Sequence, residues 1–184
     1  MFPELSTSRL TLTSLYPEDK DALFEIFSND LVVQYYDVAA FHQTEQAVRL
    51  IDLFQSRFQN KQGIRWAIRL KETNQLIGTC GFNSWNAGMR HAVVGYDLRP
   101  DYWGQGLMAE AVHAIIQAAF DGMLPCGALN RIQADTVIGN TASEHVLLKL
   151  GFVEEGIRRE SGYWKNQFHD LKCFGLLKSE FRSE

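Results

Sequence analysis

At 184 residues the chain has the length of one domain, 1–184, able to bury a substantial core without crosslinks. Its 46% hydrophobic and 22% charged residues are those of an ordinary soluble protein. A formal charge of −4 gives no overall electrostatic footprint for nucleic acid, and Arg158-Arg159 is too short to make a local basic patch.

In chain order, residues 9–13 alternate apolar and polar side chains, which predicts a half-buried strand. Pro17 opens a helix through Phe27, with Leu23, Phe24 and Phe27 on one face. A second helix starts at Thr44 and carries Val48, Ile51 and Phe54 or Phe58 at helical spacing. Residues 64–70 and 75–83 read as a hairpin joined by Lys71-Glu72-Thr73-Asn74. A third strand, 91–98, completes an antiparallel meander and leads to Trp103-Gly104-Gln105-Gly106-Leu107. The next helix lines up Leu107, Ala111, Ile115 and Ala118, and a strand over 130–137 follows, so these two strands are parallel. Residues 141–150 form a shorter helix capped by Gly151. Two last strands, 152–159 and 168–177, flank a loop containing Tyr163 and Trp164. The predicted architecture is mixed α/β: a mostly antiparallel sheet with one parallel pair and helices on both faces.

The glycine turn carries the first chemical signal. A helix start presents unpaired N–H groups and the positive end of the helix dipole, and glycines let an anion approach the backbone. An ordinary strand-to-helix turn has the same local pattern. The longer Gly-x-Gly-x-x-Gly fingerprint would need glycine where Ala109 stands, and the Lys-Ser/Thr ending of a P-loop is missing.

A second motif gives that turn a partner. Asn140-Thr141-Ala142-Ser143 followed by Leu150-Gly151-Phe152 resembles the GNAT acyltransferases, specifically their RimJ/RimL-type branch. The run Leu129-Asn130-Arg131-Ile132 and the closing Tyr163-Trp164…His169-Asp170 are also similar, so the resemblance spans residues 9–177. It implies the GNAT fold, in which two central parallel strands splay apart and acetyl-CoA lies in the opening. Backbone groups of Tyr96 and Leu98 would pair with the pantetheine arm. The N–H groups of Gly104, Gln105, Gly106 and Leu107 would receive the pyrophosphate, with Trp103 packed beneath the turn. Asn140 matches the position that contacts the cofactor arm, and it also reads as a plain helix cap. Two departures stand out. Asp101 occupies a position where the family usually has Gln or Arg, and it is expected to point outward. Leu147 occupies the position of the tyrosine that many members use to protonate the leaving thiolate.

Acetyl transfer to an amine needs a neutral amine, close reactants, a donor to the tetrahedral oxyanion and a proton for the thiolate. The Leu98 N–H is the candidate oxyanion donor. Ser143 is the acid that the branch motif implies, or a first-turn cap. Asp97 is the first candidate base, and His91, farther along the strand, the second. His145 and His169 are read as surface or hydrogen-bonded structural histidines, and Glu110 as a complement to its helix N-terminus. Trp85, Tyr163 and Trp164 are candidates for the acceptor pocket.

The expected activity is N-acetylation of a primary amine: a protein N-terminus, with ribosomal proteins first to try, or a small-molecule amine. A CoA-binding module without turnover is the third reading. Cys80, Cys126 and Cys173 form no metal-ligand pattern, so no metal is expected; Cys80 and Cys173 are read as buried thiols, and all three as reduced. No apolar run reaches the roughly 20 residues of a membrane span, and residues 1–5 do not resemble a secretory signal. A cytoplasmic protein is expected, with no nucleic-acid or membrane partner; the C-terminal strands offer a surface for a homodimer.

Overall fold

The structure, a computed structural model, describes residues 1–182. The strands are β1 (Leu5–Ser6), β2 (Leu10–Thr13), β3 (Ile64–Leu70), β4 (Leu76–Asn86), β5 (His91–Leu98), β6 (Arg131–Val137), β7 (Val153–Trp164) and β8 (Gln167–Leu177). The helices are α1 (Lys20–Phe27), α2 (Asp30–Val33), α3 (Thr44–Gln59), α4 (Leu107–Phe120) and α5 (Thr141–Lys149). The strands make one sheet in the order β1-β2-β3-β4-β5-β6-β8-β7. Neighbours run antiparallel except β5 and β6, which are parallel as their helical crossover requires.

Strand alternation sorts the core into two layers. From β3, Ile64, Trp66 and Ile68 enter the cluster that holds Ala111, Val112 and Ile115 of α4. Ala67 turns to the other face, among Leu23, Ile26 and Phe27 of α1 and Ile51 of α3. Two arginines share that second face: Arg69 pairs with Asp19 at 2.7 Å, and Arg65 stands over the Phe54 ring. Pro17 opens a 3-10 turn, Pro17–Asp19, that leads into α1.

The structure extends or adds to the expected elements in four places. β4 runs on to Asn86, so Trp85 is a strand residue: its indole N–H donates to the Lys61 carbonyl at 2.6 Å, and its ring packs on the core. It is not a loop aromatic of the acceptor pocket. β7 runs on to Trp164, which brings Tyr163 and Trp164 into a hairpin. Tyr163 packs on Phe168 there, and Trp164 stacks on His169. The short β1 and α2 have too few residues for periodicity to reveal them.

The feature that positions the site is where pairing stops. β5 and β6 pair only through His91↔Arg131, Ala92↔Ile132 and Val93↔Gln133. Beyond Val93 the strands part, while β8 stays paired along all of β6, from Arg131↔Leu177 to Val137↔Leu171.

Candidate active site

A cleft of about 630 Å³ opens where β5 and β6 separate. Its floor includes Tyr96, Asp97 and Leu98, one wall Trp103, Gly104, Gly106 and Leu107, and the other Asn140 to Ser143 with His145 and Lys149. Leu31, Val32, Gln34, Tyr35 and Tyr36 supply a roof.

The glycine turn has the backbone that the sequence required. Gly104 and Gly106 have φ of 73° and 75°, in the left-handed region that favours glycine, and Gly106 is the N-cap of α4. A Cβ on Gly104 would meet no atom within 4 Å, so the turn faces open space. Gln105 does not line the cleft: its side chain donates to the Asp101 carbonyl at 3.0 Å. Asp101 points outward with 74% of its side chain exposed, so it does not oppose an anion in the cleft. Trp103 is 46% exposed on the cleft wall rather than packed beneath the turn, and its indole N–H donates to the Leu98 carbonyl at 2.8 Å.

On the floor, ladder geometry decides which backbone groups are free. The Arg99 N–H donates to the Ile77 carbonyl at 2.8 Å. Pairs in an antiparallel ladder alternate between hydrogen-bonded and non-hydrogen-bonded, so Asp97 and Thr79 form the next bonded position. The N–H and C=O groups of Tyr96 and Leu98 therefore face away from β4, toward the gap. Both carbonyls already have side-chain donors, Tyr36 at 3.2 Å for Tyr96 and Trp103 for Leu98, which leaves the N–H groups for a ligand.

Asp97 requires a correction. Its carboxylate turns to the α1/α3 face, with its side chain 0% exposed. Oδ2 accepts from Arg65 Nη2 at 2.7 Å and from Thr79 Oγ1 at 2.5 Å, and Oδ1 from the Thr79 N–H at 3.0 Å. Arg65 also donates to the Tyr36 hydroxyl at 2.8 Å. With these contacts filled, Asp97 contributes its backbone to the cleft and its side chain to a buried ion pair. His91 lies at the closed end of β5, paired with Arg131. At about 3.3 Å per residue it is roughly 20 Å along the strand from Asp97.

The opposite wall brings two hydroxyls together. Asn140 caps α5 by accepting from the Ser143 N–H at 3.3 Å, and Ser143 Oγ lies 2.7 Å from the Tyr96 hydroxyl. Burial raises the Tyr96 phenol pKa and outweighs the lowering by the Ser143 hydrogen bond, so this hydroxyl stays protonated. The sequence reading used Tyr96 only for its backbone and missed this pair. Leu147 is fully buried in the core.

Several other assignments change. His145 is exposed, in keeping with its surface reading, but it also lines the cleft wall, and Lys149 joins it one helical turn later. His169 fits its structural reading, with a ring nitrogen 3.2 Å from the Trp164 carbonyl. Cys80 is buried, and desolvation pushes its thiol up to about 12. Cys173 is only partly buried, against expectation. Among the described residues no group of side chains forms a metal site, and no helix is long and apolar enough to cross a membrane.

The parted strands, the glycine-capped helix start and the free N–H groups fit a long, phosphate-bearing thioester, which defines an acyl-CoA-dependent transferase. Comparison with known proteins agrees. The family model "Acetyltransferase (GNAT) domain" matches residues 9–153. The uncharacterized N-acetyltransferase YoaA of Bacillus subtilis (strain 168) is 36% identical over 178 residues, 97% of this chain and 98% of that protein. The microcin C7 self-immunity acetyltransferase MccE, in complex with acetyl-CoA and AMP, has the same fold. Its TM-score is 0.84 at 20% identity, over 93% of both chains. RimL, a ribosomal L7/L12 alpha-N-protein acetyltransferase solved with coenzyme A, also has TM-score 0.84, at 18% identity over 95% of this chain and 98% of its own. The chain belongs to the GNAT family and is an acetyl-CoA-dependent N-acetyltransferase. Its eight-stranded sheet with the parallel β5–β6 pair is the GNAT fold.

Proposed function

We propose that this enzyme acetylates a primary amine at a protein N-terminus. The observation that carries the catalytic reading is the end of β5–β6 pairing at Val93/Gln133, with the glycine turn on one side of the gap and Asn140–Ser143 on the other. Bound acetyl-CoA supplies an activated acetyl group as a thioester. The N–H groups of Gly104, Gly106 and Leu107 hold its pyrophosphate, helped by the α4 dipole. The Tyr96 and Leu98 N–H groups and the Asn140 amide hold the arm. Trp103 flanks it.

In the transfer, the amine nitrogen bonds to the thioester carbon and the carbon–sulfur bond breaks. The Leu98 N–H stabilises the oxyanion, and the Ser143–Tyr96 hydroxyl pair delivers a proton to the departing sulfur. The amine releases its proton to water, because the Asp97 carboxylate is committed to Arg65, and the hydroxyl pair regains a proton from the same water.

RimL's activity on a protein N-terminus supports this acceptor. A small-molecule amine is the competing acceptor. Three thiols without disulfide partners support a cytoplasmic setting. Mass spectrometry of products from N-terminal peptides, polyamines, amino acids and amino sugars tests the proposal. Preferential acetylation of peptide α-amines is expected, and turnover confined to a small amine would sink it.

A further inference from the structure

We infer that Arg9 is a positioning residue for the donor: it aims the phosphate turn from outside the cleft. It sits just before β2, distant in sequence from the turn, and takes no part in lining the cleft. Its Nε donates to Glu110 Oε2 at 2.7 Å, and its Nη1 donates to the Gln105 carbonyl at 3.0 Å. Glu110 lies in the first turn of α4 and fixes Arg9 in return. Its Oε1 accepts from the Arg9 N–H at 2.9 Å, Thr7 Oγ1 at 2.6 Å and Ser8 Oγ at 3.0 Å. The guanidinium, half exposed, thus bridges the helix and the peptide that joins Gln105 to Gly106.

That peptide is trans, as are all the others among the described residues. A trans peptide points its N–H opposite to its C=O. Holding the Gln105 carbonyl outward therefore directs the Gly106 N–H inward, and Gly106 lines the cleft while Gln105 does not. Glycine is the residue least able to fix this orientation by itself, because its backbone is the most permissive. Arg9 supplies the missing constraint. Its charge is matched by Glu110, so it acts by geometry rather than as a phosphate-binding cation.

This inference rests on the glycine turn as the seat of the pyrophosphate, and the test separates the two. Coenzyme A binding is measured by calorimetry, and S-acetylpantetheine, which ends before the pyrophosphate, by NMR titration. Both ligands are titrated into wild-type protein, Arg9→Gln and Arg9→Lys. Arg9→Gln is expected to weaken coenzyme A about 10-fold and leave S-acetylpantetheine unchanged. Arg9→Lys is expected to recover little, because one ammonium cannot reproduce the planar fork that spans Glu110 and Gln105. Equal loss on both ligands would make Arg9 a general support of the fold and overturn the inference. Unchanged coenzyme A affinity in Arg9→Gln, or full recovery in Arg9→Lys, would also overturn it. Failure of the wild-type protein to bind coenzyme A would instead overturn the reading of the turn.

Discussion

Tyr96 and Ser143 come from elements on opposite sides of the gap, and their hydroxyl oxygens lie 2.7 Å apart. Only one of them can donate in that hydrogen bond, so the two hydroxyls act as a unit. Ser143→Ala and Tyr96→Phe are each expected to lower kcat about 10-fold, less than the usual general-acid effect because a thiolate is a tolerable leaving group. The double variant should be little worse than either single one, with KM for acetyl-CoA nearly unchanged. Steady-state kinetics would reveal independent roles as multiplying effects.

The same pair predicts a pH profile. Burial raises the Tyr96 pKa above the ordinary phenol value, so its proton is retained through the usual tyrosine range. Activity should show no alkaline loss assignable to this group up to about pH 10. A limb near pH 8 that disappears in Tyr96→Phe would contradict the assignment.

Asp97→Asn separates a structural carboxylate from a base. It leaves Arg65 charged and unpaired in a buried site, which costs about 3–5 kcal/mol. Urea unfolding should register that loss, and Arg65→Met combined with Asp97→Leu should recover part of it. Native stability with kcat abolished would restore Asp97 as the base.

Gly104→Ala puts a methyl group into open space at a φ of 73°. The left-handed backbone costs about 1–2 kcal/mol, so the protein should still fold. Coenzyme A affinity should fall at least about 10-fold in calorimetry, because the methyl stands where a phosphate approaches. Wild-type affinity would mean that the phosphate lies elsewhere.

Glu110 predicts acid sensitivity. Desolvation alone would raise its pKa, but hydrogen bonds from Thr7, Arg9 and Ser8 outweigh it and lower the carboxyl from 4.5 to about 2. Because the folded value is depressed, the unfolded chain binds the proton first as pH falls. The contribution is complete above pH 4.5 and is lost toward pH 2. Glu110→Gln should flatten stability across that window in pH-dependent urea titrations.

Local signals exposed much of this architecture. The bounds of β5, the left-handed glycines and the Asn140 cap follow from patterns of a few residues, and the parallel pair from the helix between its strands. The fate of Asp97 was hidden for a definite reason. Alternation assigns its side chain to a face but does not name what waits there, and Arg65 lies 32 residues earlier, two strands away. The Tyr96–Ser143 contact depends on how closely α5 approaches β5, a tertiary distance that no spacing encodes. The helix in the roof segment escaped notice because α2 is four residues long. The segment's ties, Tyr35 to the Gly139 carbonyl and Lys165 to the Val33 carbonyl, join distant parts of the chain.

The unzipped half of β6 has β8 as its sheet partner, and β8 ends the sheet's run along the chain. During synthesis the ribosome releases the glycine turn and both parallel strands well before β8. Until β8 arrives, nothing in the sheet holds β6 away from β5. The cleft therefore becomes competent only once β8 has emerged, after the motifs that furnish it.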